Sequence, residues 1–455
     1  MKRLFCTLIV AFALSSLVSC VGFGDVCSEH TWSEEYSYDK SYHWHECERC
    51  DRINEKAEHT TDESGYCTVC DKPVGATEGL IYKEYDTYAE VFNYTGPSSR
   101  VSIPDTYNGL PVTAIGDKVF DGCFRLVSVY IPDSVTSIGD GAFQNCTSLT
   151  SVTIGDNVTS FGSDVFARCP LNSVTIPASA ISHVVRPNLN TVVITSGTKI
   201  DDRAFADCGS IKSIVIPDSI TTIGKSAFYE CHGLTSIVIP DSVTKIGERA
   251  FFGCDGLTSV EIPDSVVTMG VRVFAECAQL TNAVIGDSVT SIGDYAFSKC
   301  QKLTNVVIGD SLTNIGAGMF YQCSELTDVR IGGSVTTIGD SAFEKCDKLV
   351  CIAIPDSVFM IGSRAFYGCD RLQVIELSDN LAAIGTEAFR YCAMIKDLVI
   401  HEGVTSIGSY AFSNCVSLDV IKYCGTEEKW NGISKGDNWD SNTGRYTITY
   451  NYDGE

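Results

Sequence analysis

Basic residues are scarce in this chain: 33 Lys and Arg stand against 57 Asp and Glu, a formal charge of −24 over 455 residues. Nucleic acid and anionic membrane surfaces both require clustered cations, so that balance argues against them as partners. Long apolar runs are also missing beyond the first twenty residues, which leaves no segment able to span a bilayer. Histidine is sparse, with 7 in all, and only His183, His232 and His401 lie after residue 75. That scarcity removes most routes to a Ser-His-Asp or Cys-His constellation. A G-x-x-x-x-G-K phosphate loop is absent. The one G-x-S-x-G string, Gly432 to Gly436, has no histidine after it and reads as chance. Cysteine is the exception, because 22 thiols are too many for an ordinary enzyme and too few for a disulfide scaffold.

Residues 1–20 have the layout of an export signal. Lys2 and Arg3 precede an apolar stretch from Leu4 to Leu17. Leu17-Val18-Ser19-Cys20 then resembles the lipobox of bacterial lipoproteins, which implies diacylation of Cys20 and an anchored protein on the bacterial surface, at the outer membrane or cell envelope.

Residues 21–74 form a second compositional block, holding four of the histidines and the spacing Cys47-x2-Cys50-x16-Cys67-x2-Cys70. Two chelating pairs at this separation suit one tetrahedral zinc site, and a segment this small needs a staple to fold. The string from His43 to Cys50, with Cys67-Thr68-Val69-Cys70, resembles zinc-ribbon-like modules of bacterial surface proteins. Four thiolates close the coordination sphere, so the zinc would be structural. Two disulfides are the alternative that an exported location permits.

From residue 101 the chain repeats. Phe120, Phe143 and Phe166 are 23 apart, and ten more continue at the same step from Phe205 to Phe412. Each is followed three residues later by a cysteine, from Cys123 to Cys415. The 39-residue step from Phe166 to Phe205 leaves a shortened repeat around Pro170 to Ile194. In the unit beginning at Leu234, Ile237 and Ile239 read as inward residues of a short strand, and Pro240-Asp241 ends it. Ala250-Phe251-x-x-Cys254 has spacing that suits a one-turn helix or similar arc. The cysteines read as packed free thiols, since parallel neighbours about 4.8 Å apart have poor disulfide geometry. The aspartates of the Pro-Asp-Ser turn read as turn caps, with a calcium rail as the less favoured alternative.

The pattern I-P-D-S-V-T-x-I-G-x-x-A-F-x-x-C resembles the BspA-type leucine-rich repeat of bacterial surface proteins. The resemblance implies an α/β solenoid, a horseshoe of about 14 units of 23 residues with a parallel sheet on its concave face. Residues 75–100 would then be linker and N-terminal cap, 101–424 the repeats and 425–455 the C-terminal cap. It also implies adhesion to extracellular or cell-surface proteins, while composition and spacing by themselves point to a non-enzymatic scaffold, expected to be monomeric. A structural spacer displaying the N-terminal module is the alternative. The expected concave face lacks His and Trp, and its charges gather late in the chain, which makes Asp328, Arg330, Glu376 and Asp397 the expected partner contacts.

Overall fold

A computed structural model describes residues 75–185 and 187–453 in full, together with the backbone strands Ser37–Tyr38, Tyr42–Cys47 and Cys50–Glu58. The three strands form an antiparallel sheet. The chain divides into two compact units, one ending at Val184 and the other starting at Val185. That division falls inside the shortened repeat.

Both units are parallel β-solenoids, with about 16 turns of ~23 residues between them. Each coil contributes a longer strand, such as Ser151–Ile154, and a two-residue strand, such as Ser160–Phe161. The longer strands alternate outward and buried residues, as a half-buried strand must. Equivalent residues pair in register: Val152 faces Val129, and Val284 faces Val307.

The first unit opens with the antiparallel hairpin Leu80–Glu84 and Ala89–Tyr94, whose second strand pairs in parallel with Leu110–Ile115. It closes with a short 3-10 turn at Ala178–Ala180 and a helical turn at Ile181–Val184, where His183 stacks on Phe161 at 4.4 Å. The second unit ends in a longer coil. Its helix Glu427–Gly432 is N-capped by Thr426, and it places Trp430 beside Tyr423 and Trp439. Trp439 meets Phe412 edge-on at 6.2 Å and covers the end of the phenylalanine stack.

Helix is nearly absent from the described residues, so the expected α/β class is corrected to β. The Ala-Phe-x-x-Cys segment, expected to be an arc or helical turn, is a chain of three-residue turns. In every repeat the residues two before and two after the phenylalanine have positive φ, as in Arg272 at 54° and Glu276 at 62°. A helix cannot contain such positions, and each costs roughly 1–2 kcal/mol for an L-residue other than glycine. The cost is offset by a ladder. Arg272, Phe274 and Glu276 each donate a backbone N–H to the next coil, to Asp294, Ala296 and Ser298 at 2.8–2.9 Å.

The core is built by like stacking on like. Phenylalanine rings of successive coils lie nearly parallel, with Phe251 and Phe274 centroids 5.0 Å apart. Each buried thiol from Cys231 to Cys415 donates to the phenylalanine carbonyl of the preceding coil, as Cys300 does to Phe274 at 3.1 Å. The cysteines are free, as the sequence led us to expect. The turn aspartates also act between coils rather than within one: Asp264 accepts from Asp287 N at 2.7 Å. A second aspartate row does the same, with Asp340 accepting from Ser363 N at 2.7 Å. The glycine of each Ile-Gly pair is needed for close approach, because a Cβ on Gly247 would sit 2.6 Å from the backbone of Gly224 and Lys225.

Candidate binding surfaces

Stacking consumes the repeating side chains, so what varies is the outward residue of each longer strand. In the second unit this row includes Val215, Val238, Glu261, Arg330, Ala353 and Glu376, all exposed. Val238 is 79% exposed, too much for a packing role. The four expected contact residues all lie on this row or beside it. Asp328 and Arg330 flank buried Val329 on one strand, and Glu376 ends the strand Val374–Glu376. Asp397 faces the same way but is engaged, accepting from Lys422 Nζ at 2.9 Å.

The structure therefore puts the four on one face without making them one cluster. The strand Cys351–Ala353 lies between Arg330 and Glu376, and among the described residues no ion pair joins the two. The side chains in this row are separate, solvated charges on a β surface. They can form contacts with a macromolecule, but nothing gathers them into a pocket for a small substrate.

A shallow depression of about 360 Å³ lies elsewhere in the second unit, where the chain turns away from the strands. Its floor is low because Gly253 and Ala278 stand where neighbouring coils carry Glu230, Glu276, Lys299 and Gln301. His232 Nδ1 lies 3.1 Å from Asp255 Oδ2, and Lys299 Nζ lies 2.7 Å from Glu276. Small residues at two nearby repeat positions in consecutive coils, Gly253 two after its phenylalanine and Ala278 four after its own, are the signal that locates the depression. Both ion pairs are about half exposed, and no serine or cysteine lines the site, so a nucleophile–base pair is not assembled there.

The thiol ladder is chemically quiet. Burial pushes the Cys208 thiol up to about 11 and those of Cys323 and Cys415 up to about 12. Thiolate, the reactive form, is therefore suppressed at neutral pH. Cys351 and Cys424 sit off the ladder and are partly exposed. Near the N-terminus, strand register sets Cys47 opposite Cys50, the backbone placement of a chelating pair. Cys20, Cys67 and Cys70 lie outside the described residues. Among the described residues no group of three or more His, Cys, Asp or Glu could hold a metal ion, and no helix is long and apolar enough to cross a membrane.

Comparison with known proteins agrees with the coil geometry. The family model described as BspA type leucine rich repeat region matches residues 89–185, 198–327 and 313–432. Among solved structures, a leucine-rich repeat protein from Bacteroides ovatus is similar at 26% identity and a TM-score of 0.52. That match covers 82% of this chain and 98% of the other. A leucine rich cell surface protein from Faecalibacterium prausnitzii is 28% identical over 84% of this chain and 98% of its own, with a TM-score of 0.33. No curated protein matches.

Proposed function

Because the chain belongs to the BspA-type leucine-rich repeat family, we propose that it is a non-enzymatic adhesion protein whose solenoid contacts extracellular or cell-surface proteins. Leucine-rich repeat proteins are typically non-catalytic binding proteins. One observation carries the reading for this chain. The repeating residues are spent on contacts between coils, while the outward row of the longer strands varies along the stack and stays half-buried to exposed. A surface that varies on a rigid, repetitive frame is suited to recognising a large partner.

Asp328, Arg330 and Glu376 are the proposed contacts on that row, with Asp397 held in reserve by Lys422. Rim-type charges act mainly on encounter and orientation, so binding should weaken as salt rises. The test is binding of the mature protein to immobilised matrix proteins and to intact cells. The double substitution Arg330→Glu, Glu376→Lys should weaken binding about tenfold, or ~1.4 kcal/mol. Unchanged binding to every ligand that the parent protein recognises would remove this face from the proposal.

Surface attachment through a diacylated Cys20 belongs to the same reading and rests on the residues around it. Cys20→Ser should abolish incorporation of labelled fatty acid and release the protein from the cell. A structural zinc on Cys47, Cys50, Cys67 and Cys70 completes it, supported by ligand spacing and by the pairing of Cys47 with Cys50. One zinc per chain by elemental analysis is expected. Absence of zinc together with two disulfides by mass spectrometry would replace it.

A further inference from the structure

The turns of the second unit carry a surface of different chemistry from the strand face. Arg364 and Tyr367 belong to one coil, Arg390 and Tyr391 to the next. The Arg364 guanidinium lies 4.3 Å over the Tyr367 ring, and Arg390 lies 5.1 Å from the Tyr391 ring. Tyr367 and Tyr391 meet edge to face at 5.4 Å, so the two coils form one continuous patch. Arg390 extends it by reaching the Tyr410 ring of the following coil, also at 5.1 Å.

The carboxylates that balance these cations lie beneath them. Glu344 accepts from Arg364 at 2.8 Å, and its side chain is 8% exposed against 44% for the arginine. Glu344 is the one charged residue among the buried polar residues described. Glu387 takes both Arg364, at 3.6 Å, and Arg390, and is 21% exposed. In the other ion pairs outside this patch the acid stays well exposed, as Glu325 does beside Lys348 at 41% and Asp397 beside Lys422 at 57%. Here Glu344 is tucked under Arg364, Glu387 and Arg390 are both mostly covered at 21% and 26%, and the Arg364 guanidinium and Tyr391 ring face out. A strongly acidic chain thus gathers arginine and tyrosine side chains at one place, with their geometry set in advance by Glu344 and Glu387.

We propose that this patch is a second docking surface, for a protein segment that brings carboxylates interspersed with apolar side chains. Tyrosine and arginine held rigid by neighbours are the residues that concentrate binding energy at protein interfaces, because little side-chain entropy remains to be lost. Exposed guanidinium N–H groups donate bidentately to carboxylates, and the rings between them take apolar contacts. These residues lie in the turns flanking the phenylalanines, whereas Arg330 and Glu376 lie on strands, so the patch is separate from that row.

The test is fluorescence anisotropy of the full protein with a labelled peptide of alternating glutamate and leucine. The parent protein should bind it, and a glutamine–leucine peptide should bind far more weakly. Tyr391→Asn should weaken binding about tenfold while leaving the thermal midpoint near the parent value. Arg364→Gln should weaken it as much and also lower the midpoint, because it unpairs buried Glu344. Both sites have positive φ, and asparagine tolerates that conformation well. Arg330→Glu should leave peptide binding unchanged. No binding by the parent protein, or loss with Arg330→Glu but not with Arg364→Gln, would overturn the proposal while leaving the strand face as the adhesive surface. Arg364-dependent binding of heparin without binding of the peptide would overturn it in favour of an anionic glycan.

Discussion

Two sides of the coil in the second unit divide the labour unexpectedly. The side made of regular β-strand is the interrupted one. Its longer strands fall into separate sheets after Asp328–Arg330 and again after Val374–Glu376, and residues 236–239 form no strand. The side made only of turns is unbroken. From Arg203 to Asn414 every coil donates three backbone N–H groups to the next, at 2.6–3.1 Å. Hydrogen bonds between coils, and not the secondary structure they resemble, show where the stack is held. The strand side is thereby freed to vary, and the variable, exposed residues proposed for adhesion are there.

The largest expected test of that contrast is alkaline pH. The ladder thiols lie on the turn side, and burial raises those of Cys277, Cys323 and Cys369. A raised folded value stabilises the neutral thiol, so the contribution is complete below the unfolded value of roughly 8.5. It is lost as pH climbs toward the folded value, about 12 for Cys323. Each thiol then forfeits ~1.4 kcal/mol per pH unit in that window. Unfolding followed by circular dichroism should begin steeply above about pH 9, with the ladder thiols becoming reactive together. Cys351 and Cys424, which are off the ladder, should react earlier and without unfolding.

Single substitutions should rank in the same order. Phe251→Ala removes a ring buried between two others and should cost about 3–5 kcal/mol in chemical denaturation. Val238→Thr on the strand side should stay within about 0.5 kcal/mol. Gly247→Ala forces a methyl against the preceding coil and should cost about 1–3 kcal/mol. Asp264→Ala frees the N–H of Asp287 in an exposed turn, and about 1 kcal/mol is expected. A strand-side substitution as costly as Phe251→Ala would erase the contrast.

The period, the buried phenylalanines and the free thiols were all legible in the sequence, because each is an identity repeated at a fixed step. The conformation of the Phe-x-x-Cys segment was not. Apolar spacing of i, i+1, i+4 fits a helix, and residues as ordinary as Arg249, Glu276 and Lys345 give no hint of positive φ. The turn aspartates read as structural, but the N–H groups that donate to them lie 23 residues on, in the next coil. Asp328, Arg330 and Glu376 were correctly read as outward. The second patch was hidden because Arg364, Tyr367 and Tyr391 occupy three different repeat positions, and only the left-handed turns bring them together.

Site-resolved hydrogen exchange tests the division of labour most directly. The amides of Phe251, Gly253, Phe274 and Glu276 should be among the slowest in the second unit, since each bonds to the next coil. Those of Ile237, Val238 and Ile239, in the strand-side gap, should exchange far sooner. Equal protection on the two sides, or slower exchange across 236–239 than along the turns, would contradict the claim that the turns hold the stack.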